Sequence, residues 1–570
     1  LVAVFFPIVF MDGMTGRLFR EFSIVVSGSV IISSFAALTF TPMLATKLLI
    51  KREKQSWFYR KTEPFFEGLN NLYSRSLAAF LRKRWIALPF TAATILIIGF
   101  LWNHIPAEMA PLEDRSQISI NTRGAEGVTY EYIRDYTEDI NQLVDSIVPD
   151  AEAVTARVSS GSGNVRITLK DMQDRDYTQM EVAEKLSKAV QKKTMARSFV
   201  QQSSSFGGRR GGMPVQYVLQ ATNIEKLQEV LPKFMAKVYE NPVFQMADVD
   251  LKFSKPEARI NINRDKASIM GVSTRNIAQT LQYGLSGQRM GYFYMNGKQY
   301  EILGEINRQQ RNKPADLKGI YIRSDKGDMV QLDNLIELTN GIAPPKLYRY
   351  NRFVSATISA GLADGKTIGQ GLDEMDKIAK ETLDDTFRTA LTGDSKEYRE
   401  SSSSLMFAFI LAILLIYLIL AAQFESFKDP LIIMLTVPLA IAGALVFMYF
   451  GGITMNIFSQ IGIIMLIGLV AKNGILIVEF ANQKQKTGED KMQAIKDAAL
   501  QRLRPILMTS ASTVLGLIPL AFATGEGCNQ RIAMGTAVVG GMLVSTLLTM
   551  YIVPAIYSYV STNRSKLKNE

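Results

Sequence analysis

The stretch "LIGLVAKNGILIVEF", residues 466 to 480, sets one cation, Lys472, inside a run otherwise suited to lipid. A charge in the hydrocarbon region costs at least about 2.5 to 3.5 kcal/mol on insertion scales and is tolerated mainly in a bundle interior or along a water-filled path. Glu479 lies seven residues on, about 10 Å along a helix axis, which is too far for a direct ion pair. No other complete apolar span carries an acid in its core, so either the lysine titrates to neutral or its counter-charge sits on a helix outside this sequence. On helical spacing Gly468, Lys472, Ile475 and Glu479 share one face, and the glycine lets a neighbouring helix approach closely. In the next span Arg502 and Thr509 also stand seven apart on one face. Each has an ordinary alternative: Arg502 as an interfacial anchor, Thr509 as a hydroxyl bonded back to its own helix.

The elements that must position these groups are apolar runs long enough to cross a bilayer as helices. Seven complete ones occur, at 24 to 46, 85 to 102, 405 to 424, 430 to 450, 456 to 478, 505 to 524 and 532 to 560, and an eighth, residues 1 to 10, is half length. No charged n-region precedes "LVAVFFPIVF" and no small-residue cleavage site follows it, so it reads as a truncated helix and not as a signal peptide. The rest of the 570-residue chain is polar enough for water, with 21% charged residues overall.

The formal charge of +11 raises the question of a nucleic-acid partner, and its distribution answers it. Residues 51 to 84 carry nine Lys/Arg against three acids, 483 to 504 six against three, 563 to 570 three against one, and 423 to 429 one against two. If the spans alternate, these four stretches share one side of the membrane, which the positive-inside pattern makes cytoplasmic. No nucleic acid is needed to explain the charge. The long segment 103 to 398 then falls outside, with the short loops 11 to 23, 451 to 455 and 525 to 531. A single cysteine (Cys528) and a single histidine (His104) offer no disulfide framework, no zinc cluster and no Ser-His or Cys-His nucleophile pair. The chain reads as no enzyme, with no cofactor and no metal site.

The first forty-four residues match the C-terminal end without gaps at an offset of 512, which pairs Pro7 with Pro519, Gly13 with Gly525, Gly28 with Gly540, Ser33 with Ser545 and Pro42 with Pro554. Such parallel repeats, about an axis along the membrane normal, occur in transporters. The same offset places the start of the first repeat well before residue 1, so the expectation is a C-terminal fragment.

Between 103 and 398 the hydrophobic period switches between two and 3.6. Strands are predicted at 116 to 124 and 165 to 171, with helices at 128 to 148 and 179 to 193. A second cycle has a strand at 215 to 221, a helix at 224 to 239, a strand pair at 247 to 263 and a helix near 274 to 283. A strand at 352 to 360 and a helix at 368 to 382 close it. Split βαβ units of this kind predict two ferredoxin-like subdomains. "SSSFGGRRGGMP" (203 to 214) is the expected joint, since no GK[ST] follows to make a phosphate cradle of it.

At this point the residues carry a resemblance. "GLVAKNGILIVEFANQ", "QRLRPILMTSASTVLGLIPLAFATGEG" and "AMGTAVVGGMLVSTLLTMYIVPAIY" resemble the last three membrane helices of resistance-nodulation-division (RND) efflux permeases of the AcrB type, while "INRDKASIMGVS" and "YRYNRFVSATI" resemble their periplasmic porter domain. The resemblance implies a Gram-negative inner-membrane protein, an α-helical membrane bundle of seven complete spans and one truncated, with an inserted α+β periplasmic porter domain of two ferredoxin-like βαβ subdomains. On this reading 1–50 holds the truncated fifth and complete sixth helices, 51–84 a cytoplasmic basic amphipathic segment and 85–102 the seventh helix. The first porter subdomain is 103–202, the linker 203–214, the second subdomain 215–283 with 345–398, and a docking insertion 284–344. Helices eight to twelve occupy 399–562 and a cytoplasmic tail 563–570.

In that family the intramembrane lysine pairs with two aspartates on the fourth helix, and an arginine and a threonine on the eleventh complete a proton relay. Those positions match Lys472, Arg502 and Thr509. The resemblance implies proton antiport, export of amphiphilic or hydrophobic small molecules, a homotrimer in the lipid bilayer, and partnership with a periplasmic adaptor (membrane fusion) protein and an outer-membrane channel. One departure narrows it: where multidrug members carry a longer, Phe-bearing loop, this chain has the aromatic-free "VSSGSGN" (158 to 164), which lacks the stacking surface that holds varied apolar ligands. Two alternatives stand beside this reading. One is a heavy-metal permease, which would need methionine clusters for soft Cu(I), although Met109, Met172, Met180, Met195 and Met213 form no tight motif. The other is a non-pumping, membrane-anchored factor for periplasmic export or lipid sensing.

Overall fold

The computed structural model describes residues 2–11, 13–48, 57–202, 213–344, 346–363 and 365–562. The 563–570 tail, most of the expected 203–214 joint and the start of the 51–84 segment lie outside the described residues. The chain divides into two compact units, one of residues 1–123, 133–250 and 349–570, the other of 124–132 and 251–348.

Among the described residues, apolar composition over more than 18 residues produces seven helices long enough to cross a membrane: Gly16–Leu48, Arg84–His104, Gly393–Phe424, Lys428–Phe450, Ile457–Lys486, Lys491–Ala521 and Cys528–Val560. The half-length opening run is a short helix, Val2–Phe5, and a 3-10 turn, Phe6–Phe10. Several helices outrun their apolar windows, because the backbone ladder continues through Gln483 and Lys484 on one side and from Lys491 on the other. Asn456 starts the Ile457–Lys486 helix with a reciprocal cap: its side chain accepts from Phe458 and Ser459 N–H, while Ser459 Oγ accepts from Asn456 N–H at 2.9 Å. The Lys428–Phe450 span breaks at Leu435 into Lys428–Met434 and Thr436–Phe450. Pro438 explains the break, since it has no N–H for the Met434 carbonyl and its ring crowds that group.

The first soluble subdomain is built from β1 (Gln117–Arg123), helix Tyr130–Ile147, β2 (Ala153–Ser159), β3 (Ser162–Thr168), helix Gln179–Val190 and β4 (Arg197–Gln202). Its sheet order is β2-β3-β1-β4, all neighbours antiparallel, the split βαβ arrangement. Alternation along β1 and β3 sends Ile118, Ile120, Val165 and Ile167 to one face, where they pack on Tyr136, Ile140, Val144 and Leu186.

β5 (Val215–Ala221), helix Ile224–Glu240 and β6 (Phe244–Val249) open a second subdomain. The chain then leaves it for the other unit, which holds β7 (Lys255–Ile262), helix Thr274–Leu285, β8 (Gln288–Met295), β9 (Lys298–Gly304), β10 (Tyr321–Arg323), β11 (Met329–Gln331) and β12 (Ile336–Ala343). It returns through β13 (Tyr348–Tyr350), β14 (Phe353–Leu362), helix Ile368–Thr382 and β15 (Arg388–Leu391). β6 pairs with β14, β14 with β5 and β5 with β15, so the second subdomain repeats the strand order of the first.

Two sequence expectations change here. The strands at 247 to 263 belong to different sheets: β6 joins β14, while β7 pairs with β12 from Lys255↔Ala343 to Ile262↔Ile336. The inserted unit therefore begins at Leu251 and not at 284, and it includes the helix Thr274–Leu285, whose Ile277 packs with Ile322, Leu332 and Leu335. Alternation identifies a strand but not its partner. Within the same unit Arg308 holds Glu131 through two hydrogen bonds of 2.6 and 2.8 Å, and the guanidinium lowers that carboxyl to about 2.

Candidate functional site: a lysine on an uncovered helix face

Along Ile457–Lys486 nearly every residue on one side is buried, among them Ile464, Ile467, Val470, Ala471, Gly474, Ile477 and Val478. Met465, Gly468, Leu469, Lys472, Ile475, Leu476, Glu479 and Phe480 are not, and their spacing of three and four residues makes them a single stripe. Lys472 is the exposed centre of that stripe. Among the described residues it makes no hydrogen bond and no ion pair. Glu479 is engaged elsewhere: its Oε1 accepts from Gln483 Nε2 at 3.0 Å, one turn further on.

Arg502 and Thr509, on Lys491–Ala521, are both half-buried. The Arg502 guanidinium lies 4.4 Å from the centroid of the Phe480 ring, a cation–π contact that brings it to the C-terminal end of the Lys472 stripe. Its Nε is buried without a hydrogen-bond partner among the described residues. Thr509 Oγ1 donates to the Ile506 carbonyl at 3.1 Å, a bond within its own helix. The structure thus places Arg502 against the Lys472 helix through Phe480, while Lys472, Arg502 and Thr509 share no hydrogen-bonded group among the described residues.

Two buried polar clusters escaped the sequence reading. Asn473, the residue after Lys472, is 2% exposed and donates to Ser510 Oγ at 3.3 Å and Thr546 Oγ1 at 3.4 Å, with Thr546 donating to Ser510 at 3.1 Å. This knot joins Ile457–Lys486, Lys491–Ala521 and Cys528–Val560 on the side opposite the lysine. An asparagine in an apolar run was the available signal, because a buried amide must find partners. The second cluster holds Asp429, one of the two acids counted in residues 423 to 429. Asp429 is 1% exposed; Asn482 Nδ2 donates to its Oδ2 at 3.0 Å, Tyr557 OH donates to Asn482 Oδ1 at 2.6 Å, and Gln485 Nε2 donates to Tyr557 OH at 2.8 Å. These four residues come from three different helices, which no local pattern reveals.

The arrangement is a packed helix core with polar clusters inside it and Lys472 on its open side. A model of the AcrB/AcrD/AcrF family matches residues 1–561. A protein of Haemophilus influenzae described as an uncharacterized transporter is 31% identical over 577 residues, covering all of this chain and 56% of that relative. The chain therefore spans about half the length of the curated relative it matches. Seven membrane-length helices and the family match together make it a multi-pass membrane protein, and the chain belongs to the AcrB/AcrD/AcrF family of RND permeases.

Proposed function

We propose that this chain is the portion of a proton-driven efflux permease that carries the cationic half of the proton relay. The complete protein exports amphiphilic or hydrophobic small molecules from the inner membrane and periplasm. The observation that carries the reading is Lys472: a cation at mid-helix, on the one stripe its own bundle leaves open, with no acid beside it among the described residues. Placing a charge there is costly, and a titrating pair with carboxylates contributed by the rest of the protein gives it a use. Protonation of those acids would release Lys472, and the Ile457–Lys486 helix would shift against its neighbours as a packed element. The two split βαβ subdomains would serve as the porter and residues 251–348 as the docking unit. A homotrimer working with a periplasmic adaptor and an outer-membrane channel completes the proposal.

The test is Lys472→Ala in the full-length gene, with dye export followed in cells lacking other pumps. Export should fall to the level of the empty vector while the protein is made and inserted normally. Export at the wild-type rate would show that the lysine is no part of the relay.

A further inference from the structure

Residues 105–116 link the end of the Arg84–His104 helix to β1 and belong to no helix or named strand. Irregular connections of this kind are ordinarily mobile, yet this one is bonded along its length. Ile105 and Met109 are buried among apolar side chains of the bundle. Ala107 forms a parallel bridge with Met455. Around it Met455 N–H donates to the Pro106 carbonyl at 2.8 Å, Glu108 N–H to the Met455 carbonyl at 3.0 Å, and Ile457 N–H to the Met109 carbonyl at 3.2 Å. The link is thereby fixed to the N-terminus of Ile457–Lys486, the helix that carries Lys472.

A second membrane helix holds it a few residues on. Asn529 Nδ2 donates to the Leu112 carbonyl at 2.8 Å and Gln530 N–H to Glu113 Oε1 at 3.0 Å, both from the first turn of Cys528–Val560. Glu113 is 1% exposed, and its Oε2 has no hydrogen-bond partner among the described residues. Such burial is costly, and the positive end of the helix dipole offsets part of the cost. Asp114, the next residue, turns to the soluble side. Its Oδ2 accepts from Gln179 N–H at 2.9 Å, at the start of Gln179–Val190, and its Oδ1 accepts from the fully buried Arg175 guanidinium. Gln179 closes the joint: its Oε1 accepts from Arg115 and Gln117 N–H at 3.0 and 3.1 Å, and its Nε2 donates to the Glu113 carbonyl at 3.3 Å. Two adjacent carboxylates thus hold the ends of a membrane helix and a soluble helix.

We propose that residues 105–116 transmit displacement of the lysine helix to the first soluble subdomain, with Glu113 and Asp114 as the positioning residues at the joint. The proposal rests on the relay reading and names the element that couples the relay to the porter. The two membrane attachments, at Met109 and Leu112, are three residues apart, at most about 11 Å of extended chain. A shift of Ile457 against Asn529 therefore moves the link or breaks one of its bonds. Asp114 follows Glu113 directly and carries the movement into Gln179–Val190. Coupling of this kind travels through packed, hydrogen-bonded elements and not through slack chain. The second subdomain needs no such device, because Thr392 alone separates β15 from the Gly393–Phe424 helix.

The test uses the full-length protein in proteoliposomes under an imposed pH gradient, with proton flux and rhodamine 6G export measured together. Glu113→Ala should lower the dye exported per proton by about tenfold, the scale of one lost charge-assisted contact, while proton flux persists. Glu113→Gln keeps an acceptor for Gln530 N–H and should restore most of that ratio. Asn529→Ala removes an exposed contact and should lower the ratio by about threefold, which tests the attachment even where Glu113→Ala fails to fold. A merely structural role would lower both flows in step with protein level. A wild-type ratio in Glu113→Ala and Asn529→Ala, or a loss in Glu113→Gln equal to that in Glu113→Ala, overturns the proposal. Failure of the relay reading would appear separately, as proton flux and export both surviving Lys472→Ala.

Discussion

Lys472 and Asn473 are neighbours in sequence with opposite surroundings, and the contrast separates function from stability. Asn473 bonds to Ser510 and Thr546 inside the bundle, whereas Lys472 faces out of it. Asn473→Ala in the full-length protein should therefore lower unfolding stability in detergent by about 1 kcal/mol, since Ser510 and Thr546 keep each other as partners and side-chain hydrogen bonds in membranes are individually modest. Export should persist at reduced protein level, the reverse of Lys472→Ala, and denaturation followed alongside transport distinguishes the two. Wild-type stability in Asn473→Ala would mean that the knot is incidental. The lysine was legible because a charge in an apolar run is conspicuous. Asn473 and Asp429 were not, since their meaning depends on hydroxyls and amides brought from other helices.

At the scale of the element, prolines mark where one helix needs help from another. Pro554 interrupts Cys528–Val560 and cannot supply the N–H that the Met550 carbonyl would otherwise accept. The Tyr73 hydroxyl, from the amphipathic helix Trp57–Arg82, donates to that carbonyl at 2.6 Å in a buried site. Tyr73→Phe should cost about 1 to 2 kcal/mol by orphaning the carbonyl. In a Pro554→Ala background, where the backbone N–H returns, the same substitution should cost clearly less, and a thermal-denaturation double-mutant cycle reads the difference. Equal costs in both backgrounds would exclude this role for the tyrosine. Glycines act in the same way: a Cβ on Gly540 would lie 2.4 Å from Phe447 Cβ, and one on Gly535 would lie 2.5 Å from Ala521 N, so close helix approach requires both. The repeat mate of Gly540, Gly28, meets nothing within 4 Å. Element types were largely legible from periodicity, with Ile368–Thr382 found where its spacing predicted it. Partners were not, as the departure of β7 to β12 shows, because pairing depends on segments about 80 residues apart whose local patterns are alike.

For the whole molecule, the orientation in the bilayer decides whether the soluble subdomains meet substrate in the periplasm. Lys/Arg excess in the stretches 51 to 84, 483 to 504 and 563 to 570 predicts that these lie inside and 103 to 398 outside. The bundle links the outer segments to one another, since Asn529 Nδ2 donates to the Leu112 carbonyl at 2.8 Å and Gln530 N–H donates to Glu113 Oε1 at 3.0 Å. The loop ahead of Cys528–Val560 must then lie on the same side as the start of the soluble segment. Cys528 is the single cysteine of the 570 residues and is half-buried in this region, so it reports the side directly. A membrane-impermeant maleimide applied to intact spheroplasts should label the chain at Cys528, with Cys528→Ser as the unlabelled control, and Thr562→Cys in the Cys528→Ser background, at an exposed position beyond the far end of the same helix, should label only after permeabilisation. The opposite pattern would invert the topology, placing the porter subdomains in the cytoplasm and removing the basis for an export route through the periplasm.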